Sequence, residues 1–242
     1  MSFFKCIESI LKRNAKVDHR PRIVEEIPTP EPAPAPHNIK PKSIQPLGHI
    51  YPGNWKYVKD PDGGNKPMTS ELPQGVVLHQ TVTYNLNSTV AFFKRNVVDV
   101  HFVIGHDGKI VQMADCNKSC AHAGRSEWDG FKGLNQYFIG IELVNLGPLT
   151  KQSDGSYLDA YDRPFNGLIR ERKAFGHKYW EACPREQEEA LLKLCRWIQD
   201  RYKIPVDNFT AHYEVSPNRK IDPAGALSFK DMDEFRDELR IF

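Results

Sequence analysis

No apolar run in this chain approaches the roughly 18 residues that a membrane-spanning helix needs. The N-terminal stretch Met1 to Arg13 is too charged and too short to hold a secretory apolar region. It reads instead as a small amphipathic helix or a frayed end. A dedicated nucleic-acid binder would show a basic stripe, but the formal net charge is only +2. A disulfide framework is also missing. The five cysteines, Cys6, Cys116, Cys120, Cys183 and Cys195, are odd in number and irregular in spacing. Cys116 and Cys120 either close a small loop or stay as thiols in a reducing cell. Cys195 lies in an apolar helical pattern and is expected in the core. Nothing among the cysteines forms the paired set of a structural zinc site. There is no internal repeat.

What is present is ordinary globular composition: 242 residues, 40% hydrophobic and 26% charged. That length supports one good-sized core and a small appendage. Residues 14–43 are charged and then proline-rich, with Ile27-Pro-Thr-Pro-Glu-Pro-Ala-Pro-Ala-Pro36 favouring an extended polyproline spacer. The expected organisation is therefore a short helix over 1–13, a linker over 14–43 and one catalytic domain over 44–242.

Gly75 to His79 is a short apolar run, read as a buried strand that ends on a histidine. Asn87 to Arg95 reads as a helix capped by Asn87 or Ser88. Val100–Ile104 and Lys109–Gln112 flank His106-Asp-Gly108, a hairpin signal. Phe138 to Val144 is a further strand, with Glu142 alone among apolar neighbours. Residues 147–180 show no clear period and are expected as a long excursion. Arg185 to Tyr202 is a strongly amphipathic helix. A brief strand, Phe209 to His212, precedes a last helix over Ser228–Arg240 with Ser228 as its cap. Strands interleaved with helices indicate an α/β fold with a central mixed sheet flanked by helices.

The chemistry concentrates near the C-terminus, in His212 to Asp222. If this stretch is extended, Lys220 and Asp222 point to one side and share a pocket with His212. A neutral imidazole and a carboxylate are ordinary zinc ligands, but two are too few. His79, at the end of its strand, supplies a third. Two imidazoles and one carboxylate leave a position open for water, as a catalytic zinc site requires. Glu142 would be the carboxylate that takes a proton from water and passes it to a leaving amine. Lys220 would stabilise an oxyanion. Taken singly, each has a plainer reading: a satisfied polar histidine, an ion-pair partner, a turn before Pro223 or a solvated charge.

Together these residues resemble the zinc-dependent N-acetylmuramoyl-L-alanine amidases of the amidase-2, peptidoglycan-recognition-protein-like superfamily. The resemblance covers about residues 72–230. It rests on Val77-Leu-His79-Gln-Thr81, Val100-His-Phe-Val-Ile104 with Asp107-Gly108, and Ala121-His-Ala-Gly124. Asn135 through Ile139-Gly-Ile-Glu142-Leu-Val-Asn145, and His212 through Arg219-Lys-Ile-Asp-Pro223, complete it. It implies zinc on His79, His212 and Asp222, catalysis by Glu142 and Lys220, and substrate contacts from His101, His122 and Asn135. Val100 stands where some phage relatives carry a tyrosine, which places the chain with the glutamate-using branch. Ala211, the Asp222-Pro-Ala-Gly225 run and Gln80 depart from the usual pattern without removing a ligand.

The implied reaction is hydrolysis of the amide between N-acetylmuramic acid and L-alanine of peptidoglycan, in a lytic, endolysin-like or effector-like role. The alternatives are a metal-free peptidoglycan-binding module and a cytoplasmic recycling enzyme for soluble anhydro-muropeptides. Expected partners are peptidoglycan or muropeptides, together with a protein bound through the N-terminal tail. No nucleic acid is expected. With no signal peptide, the chain is expected to be made in the cytoplasm and to reach the wall or periplasm by release or export.

Overall fold

A computed structural model describes residues 66–95 and 98–241, together with the backbone of Arg22–Ile23 and Trp55–Tyr57. The expected helix over 1–13 lies outside the described residues. Of the expected linker only Arg22–Ile23 is described, as a short strand paired in parallel with Leu168–Ile169.

The central sheet has six strands: β1 (Trp55–Tyr57), β2 (Gly75–Gln80), β3 (Phe102–Ile104), β4 (Ile110–Gln112), β5 (Phe138–Leu143) and β11 (Phe209–Ala211). Their spatial order is β11-β2-β5-β3-β4-β1. The pairs β11/β2, β2/β5, β5/β3 and β4/β1 are parallel, and β3/β4 is the antiparallel hairpin expected around His106-Asp-Gly108. Every residue of β2 and β5 is buried. That is why both read as near-continuous apolar runs, as parallel strands covered on both faces do.

Alternation along the strands assigns their faces. Val76 and Leu78 of β2, with Ile139, Ile141 and Leu143 of β5, pack into the main core. The helix α2 (Arg185–Tyr202) covers this face with Leu191, Leu194, Cys195 and Ile198. Each such aliphatic side chain contributes about 1.5–3 kcal/mol by leaving water. Glu186 and Glu188 sit in its first turn and Arg201 in its last, in keeping with the helix dipole. Gln187, fully buried, donates from Nε2 to the carbonyls of Ile104 (2.9 Å) and Val144 (3.0 Å). This ties the helix to the C-terminal ends of β3 and β5, the edge on which the polar residues cluster.

The opposite face carries His79 and Glu142. Beyond it lie α1 (Leu86–Phe93) and the segment 120–137. The cap of α1 is Asn85 rather than Asn87 or Ser88: its Oδ1 accepts the Ser88 amide at 2.9 Å. Three capping side chains fall within four residues, and only Asn85 has the extended backbone that lets its oxygen reach the first turn.

The 147–180 excursion is a second sheet. Strands β6 (Pro148–Lys151), β7 (Tyr157–Leu158), β8 (Pro164–Phe165), β9 (Leu168–Ala174) and β10 (His177–Glu181) pair antiparallel in the order β9-β10-β6-β7-β8. The strands are short and one side of β9 is exposed and charged, so the apolar period is weak. The β9/β10 turn uses Phe175 and Gly176, both at positive φ, where Asn-Gly would have given the usual signal.

Two short helices close the chain: α3 (His212–Val215) and α4 (Met232–Arg240). The last helix is capped three residues later than expected, by Asp231, whose Oδ1 accepts the Glu234 amide at 3.0 Å. Ser228 instead donates to Glu188 of α2. Cys116, Cys120, Cys183 and Cys195 are buried and in no disulfide, so Cys116 and Cys120 do not close a loop. Cys195 lies in the main core. Among the described residues no helix is long and apolar enough to cross a membrane.

Candidate metal centre

Parallel pairing brings the first half of the site together. In the register of β2 and β5, His79 lies directly opposite Glu142, and both side chains leave the face opposite α2. The second half comes from the C-terminal stretch, which is not extended throughout. His212 opens the single turn α3, residues 216–219 turn again, and the chain then reaches Lys220 and Asp222. The Tyr213 amide donates to the Asp222 carbonyl at 3.1 Å and folds the stretch back on itself. Along this changed backbone, Asp222 and Lys220 both act on the charge of Glu142, in opposite directions.

Three atoms converge. His79 Nδ1 lies 2.8 Å from His212 Nδ1 and 3.6 Å from Asp222 Oδ2, and His212 Nδ1 lies 2.9 Å from the same oxygen. A tetrahedral zinc with bonds of about 2.0–2.1 Å sets its ligands roughly 3.3 Å apart. The triangle brackets that spacing, and its donors are two imidazole nitrogens and one carboxylate oxygen. The residues present therefore fit a metal ion. Among the described residues this is the one group of three or more metal-binding side chains so placed.

The electrostatics agree. Burial, and next the neighbouring His212, push the His79 imidazole down to about 4, so it stays neutral and keeps a lone pair. Burial works to raise the Asp222 carboxyl, but its contacts with the His212 and His79 imidazoles outweigh burial and hold it far below the ordinary range. Burial, and next the Asp222 charge, push Glu142 up to about 8, with Lys220 pulling the other way. Glu142 Oε2 has no hydrogen-bond partner. A buried carboxylate oxygen without a partner is costly unless something else is meant to meet it.

The remaining expected residues sit behind the three candidate ligands. Burial drives His101 down to about 4. Its Nε2 lies 2.7 Å from the Lys118 carbonyl, and its Nδ1 accepts the Gly140 amide at 3.0 Å. His122 places Nδ1 2.9 Å from His79 Nε2 and Nε2 3.0 Å from the Phe138 carbonyl. Asn135 Oδ1 accepts the amides of His122, Ala123 and Gly124 at 3.1, 2.7 and 3.3 Å. Arg219, which composition alone does not single out, donates to the carbonyls of Ala123 (2.6 Å) and Arg125 (2.9 Å) and to Ser216 Oγ (2.6 Å). It binds the 123–125 loop to the turn that carries Lys220. Its place beside Lys220 in the motif was the one available signal.

The chain is similar to N-acetylmuramoyl-L-alanine amidase AmiD of Escherichia coli K12, 30% identical over 164 residues that make up 65% of this chain and 51% of that protein. It is also similar to 1,6-anhydro-N-acetylmuramyl-L-alanine amidase AmpD of the same organism, 29% identical over 54% of this chain and 55% of that protein. The chain thus spans about half the length of the curated relatives it matches. Its fold is shared with a crystal structure of an AmpD derivative, with a TM-score of 0.51 at 21% identity, over 78% of this chain and 96% of that one. AmiD of E. coli, in complex with the substrate anhydro-N-acetylmuramic acid-L-Ala-D-gamma-Glu-L-Lys, superposes with a TM-score of 0.50 at 27% identity, over 66% of this chain and 56% of that one. Residues 69–225 match the Amidase_2 family, N-acetylmuramoyl-L-alanine amidase, and the chain belongs to that family.

Proposed function

We propose that this chain hydrolyses the amide between the lactyl group of N-acetylmuramic acid and L-alanine of the stem peptide. His79, His212 and Asp222 would hold zinc. The ion supplies Lewis-acid polarisation of the scissile carbonyl and makes water more acidic. The observation that carries this reading is the convergence of His79 Nδ1, His212 Nδ1 and Asp222 Oδ2 beside the unpartnered oxygen of Glu142.

Glu142 takes a proton from the attacking water and returns it to the leaving amine nitrogen. A carboxyl held near 8 suits that exchange, since it can be both base and acid near neutrality. Lys220, whose charge favours the ionised form of Glu142, would stabilise the oxygen that gains charge as the carbonyl becomes tetrahedral. Asp222, kept ionised, offsets the cation's charge. The intact ligand set speaks against a non-catalytic binding module.

Two substrates fit this chemistry: wall peptidoglycan, reached by release or export, and soluble anhydro-muropeptides. The similarity to the 1,6-anhydro-N-acetylmuramyl-L-alanine amidase AmpD favours the second. Zinc-loaded protein should be incubated separately with intact sacculi and with anhydro-N-acetylmuramyl peptide, and the products separated by mass. Free peptide with an L-alanine N-terminus is the expected product from at least one. Binding to either without any cleavage would leave only the binding-module reading.

A further inference from the structure

Resting on the metal reading above, we infer that His122, seated by Gly140, Asn135 and the Phe138 carbonyl, is a positioning residue that fixes the His79 tautomer. A row of hydrogen bonds sets the proton positions. A carbonyl oxygen only accepts, so the Phe138 contact at 3.0 Å puts a proton on His122 Nε2. Among the described residues no carboxylate touches His122; its ring meets His79, the Phe138 carbonyl and the edge of His101. A second proton there would be an unpaired buried charge, so His122 is neutral and Nδ1 accepts. The group 2.9 Å from that nitrogen is His79 Nε2, which must therefore donate. Its proton on Nε2 leaves the His79 lone pair on Nδ1. That is the nitrogen facing His212 and Asp222.

The seat for His122 is built. A Cβ on Gly140 would stand 2.6 Å from His122 Cγ and 2.8 Å from Nδ1. Gly140 has no left-handed backbone to explain it. The glycine of Ile139-Gly-Ile-Glu142 is there because the His122 ring lies flat on the strand. Asn135 fixes the backbone beneath the ring by accepting three successive amides on one oxygen. A metal-binding histidine normally gives its other N–H to a fixed acceptor, and losing that acceptor lowers metal affinity by about 10–100-fold. Here the acceptor is another imidazole, 43 residues away in the chain.

The test joins imidazole nitrogen NMR with zinc competition against a chelator, both on the full chain. In metal-free protein near pH 7.5, His79 and His122 should both show the Nε2–H tautomer. His122→Phe, which keeps a ring but no acceptor, should weaken zinc about 10–100-fold. Its KM for a soluble muropeptide at saturating zinc should be unchanged. His122→Asn, whose carbonyl oxygen takes the place of Nδ1, should recover most of the zinc affinity. Gly140→Ala should behave like His122→Phe. An Nδ1–H tautomer on His79 overturns the proposal. So does unchanged zinc affinity in folded His122→Phe, and so does a raised KM at saturating zinc, which would make His122 a substrate contact. If His122→Phe does not fold, the wild-type spectrum decides. Wild-type protein that takes up no zinc defeats the metal reading, while the tautomer spectrum still judges the relay.

Discussion

Glu142 and His79 face each other on one rung of the parallel pair β2/β5. Neighbouring strands lie about 4.8 Å apart, so this rung fixes the distance between the proposed metal ligand and the proposed proton carrier without help from a loop. Because Glu142 sits beside the ligand set and outside it, Glu142→Gln should retain zinc at the wild-type stoichiometry. It should lose turnover by roughly 10²–10⁴-fold. Metal analysis with single-turnover hydrolysis separates the two effects. Wild-type rate in a zinc-loaded Glu142→Gln protein would move the base elsewhere.

Removing the metal or one of its ligands should have the opposite signature. Dialysis against a strong chelator should abolish hydrolysis, and added zinc should restore it. His79→Ala and Asp222→Ala should each lose zinc and activity together, because two protein ligands cannot make a catalytic site. Asp222→Ala should also free two imidazoles that now share its Oδ2. A metal-depleted protein of full activity would end the zinc mechanism.

Both halves of the candidate site were legible in the sequence, for different reasons. His79 and Glu142 are polar residues inside apolar runs, and a fixed period makes such interruptions visible. His212, Lys220 and Asp222 were readable from residue types in a short span, though the backbone between them turns where an extended run was expected. His101, His122 and Asn135 were named only through the resemblance, and what could not be read is how they contact the rest of the site. His122 meets His79 only because a loop folds over Gly140, and no period links residues 43 positions apart. The second sheet was hidden for another reason. Its strands are short, one face is wet, and the β9/β10 turn uses Phe175-Gly176.

Glu142 also predicts a pH dependence of stability in the metal-free protein. Burial, and next Asp222, raise its carboxyl from 4.5 to about 8. Between those values the folded state holds a proton that the unfolded chain has released. Unfolding then releases a proton, and stability falls as pH rises through this window. The total is on the order of a few kcal/mol. Buried histidines such as His101 slope the other way below pH 6.5, so the informative quantity is the difference from Glu142→Gln. Denaturant titrations of both metal-free proteins at pH 5, 6, 7 and 8 should show Glu142→Gln gaining on the wild type as pH rises. A constant gap would show that Glu142 keeps an ordinary pKa. Saturating zinc should shrink the trend, since a nearby cation favours the carboxylate.

Arg236 of α4 carries a prediction for the scaffold beneath His212. It is buried, donates from Nε to the Phe209 carbonyl at 3.0 Å, and binds both oxygens of Glu214 from Nη2 at 2.9 and 2.8 Å. Glu214 Oε2 in turn accepts the Ala211 amide at 2.9 Å. The ion pair therefore braces the junction where β11 ends and the ligand His212 begins. Arg236→Met removes one partner and leaves the other charge uncompensated, which costs about 3 kcal/mol, the low end of the range because Glu214 keeps some exposure. Arg236→Met combined with Glu214→Gln should recover part of that loss, because the one carboxylate still without its partner, Asp233, is exposed to water. Zinc affinity should fall in the single variant through the displaced His212, with the four other pocket residues untouched. Urea unfolding and chelator competition on the two variants measure both effects. A single variant within about 0.5 kcal/mol of wild type would show that α4 does not hold the junction in place.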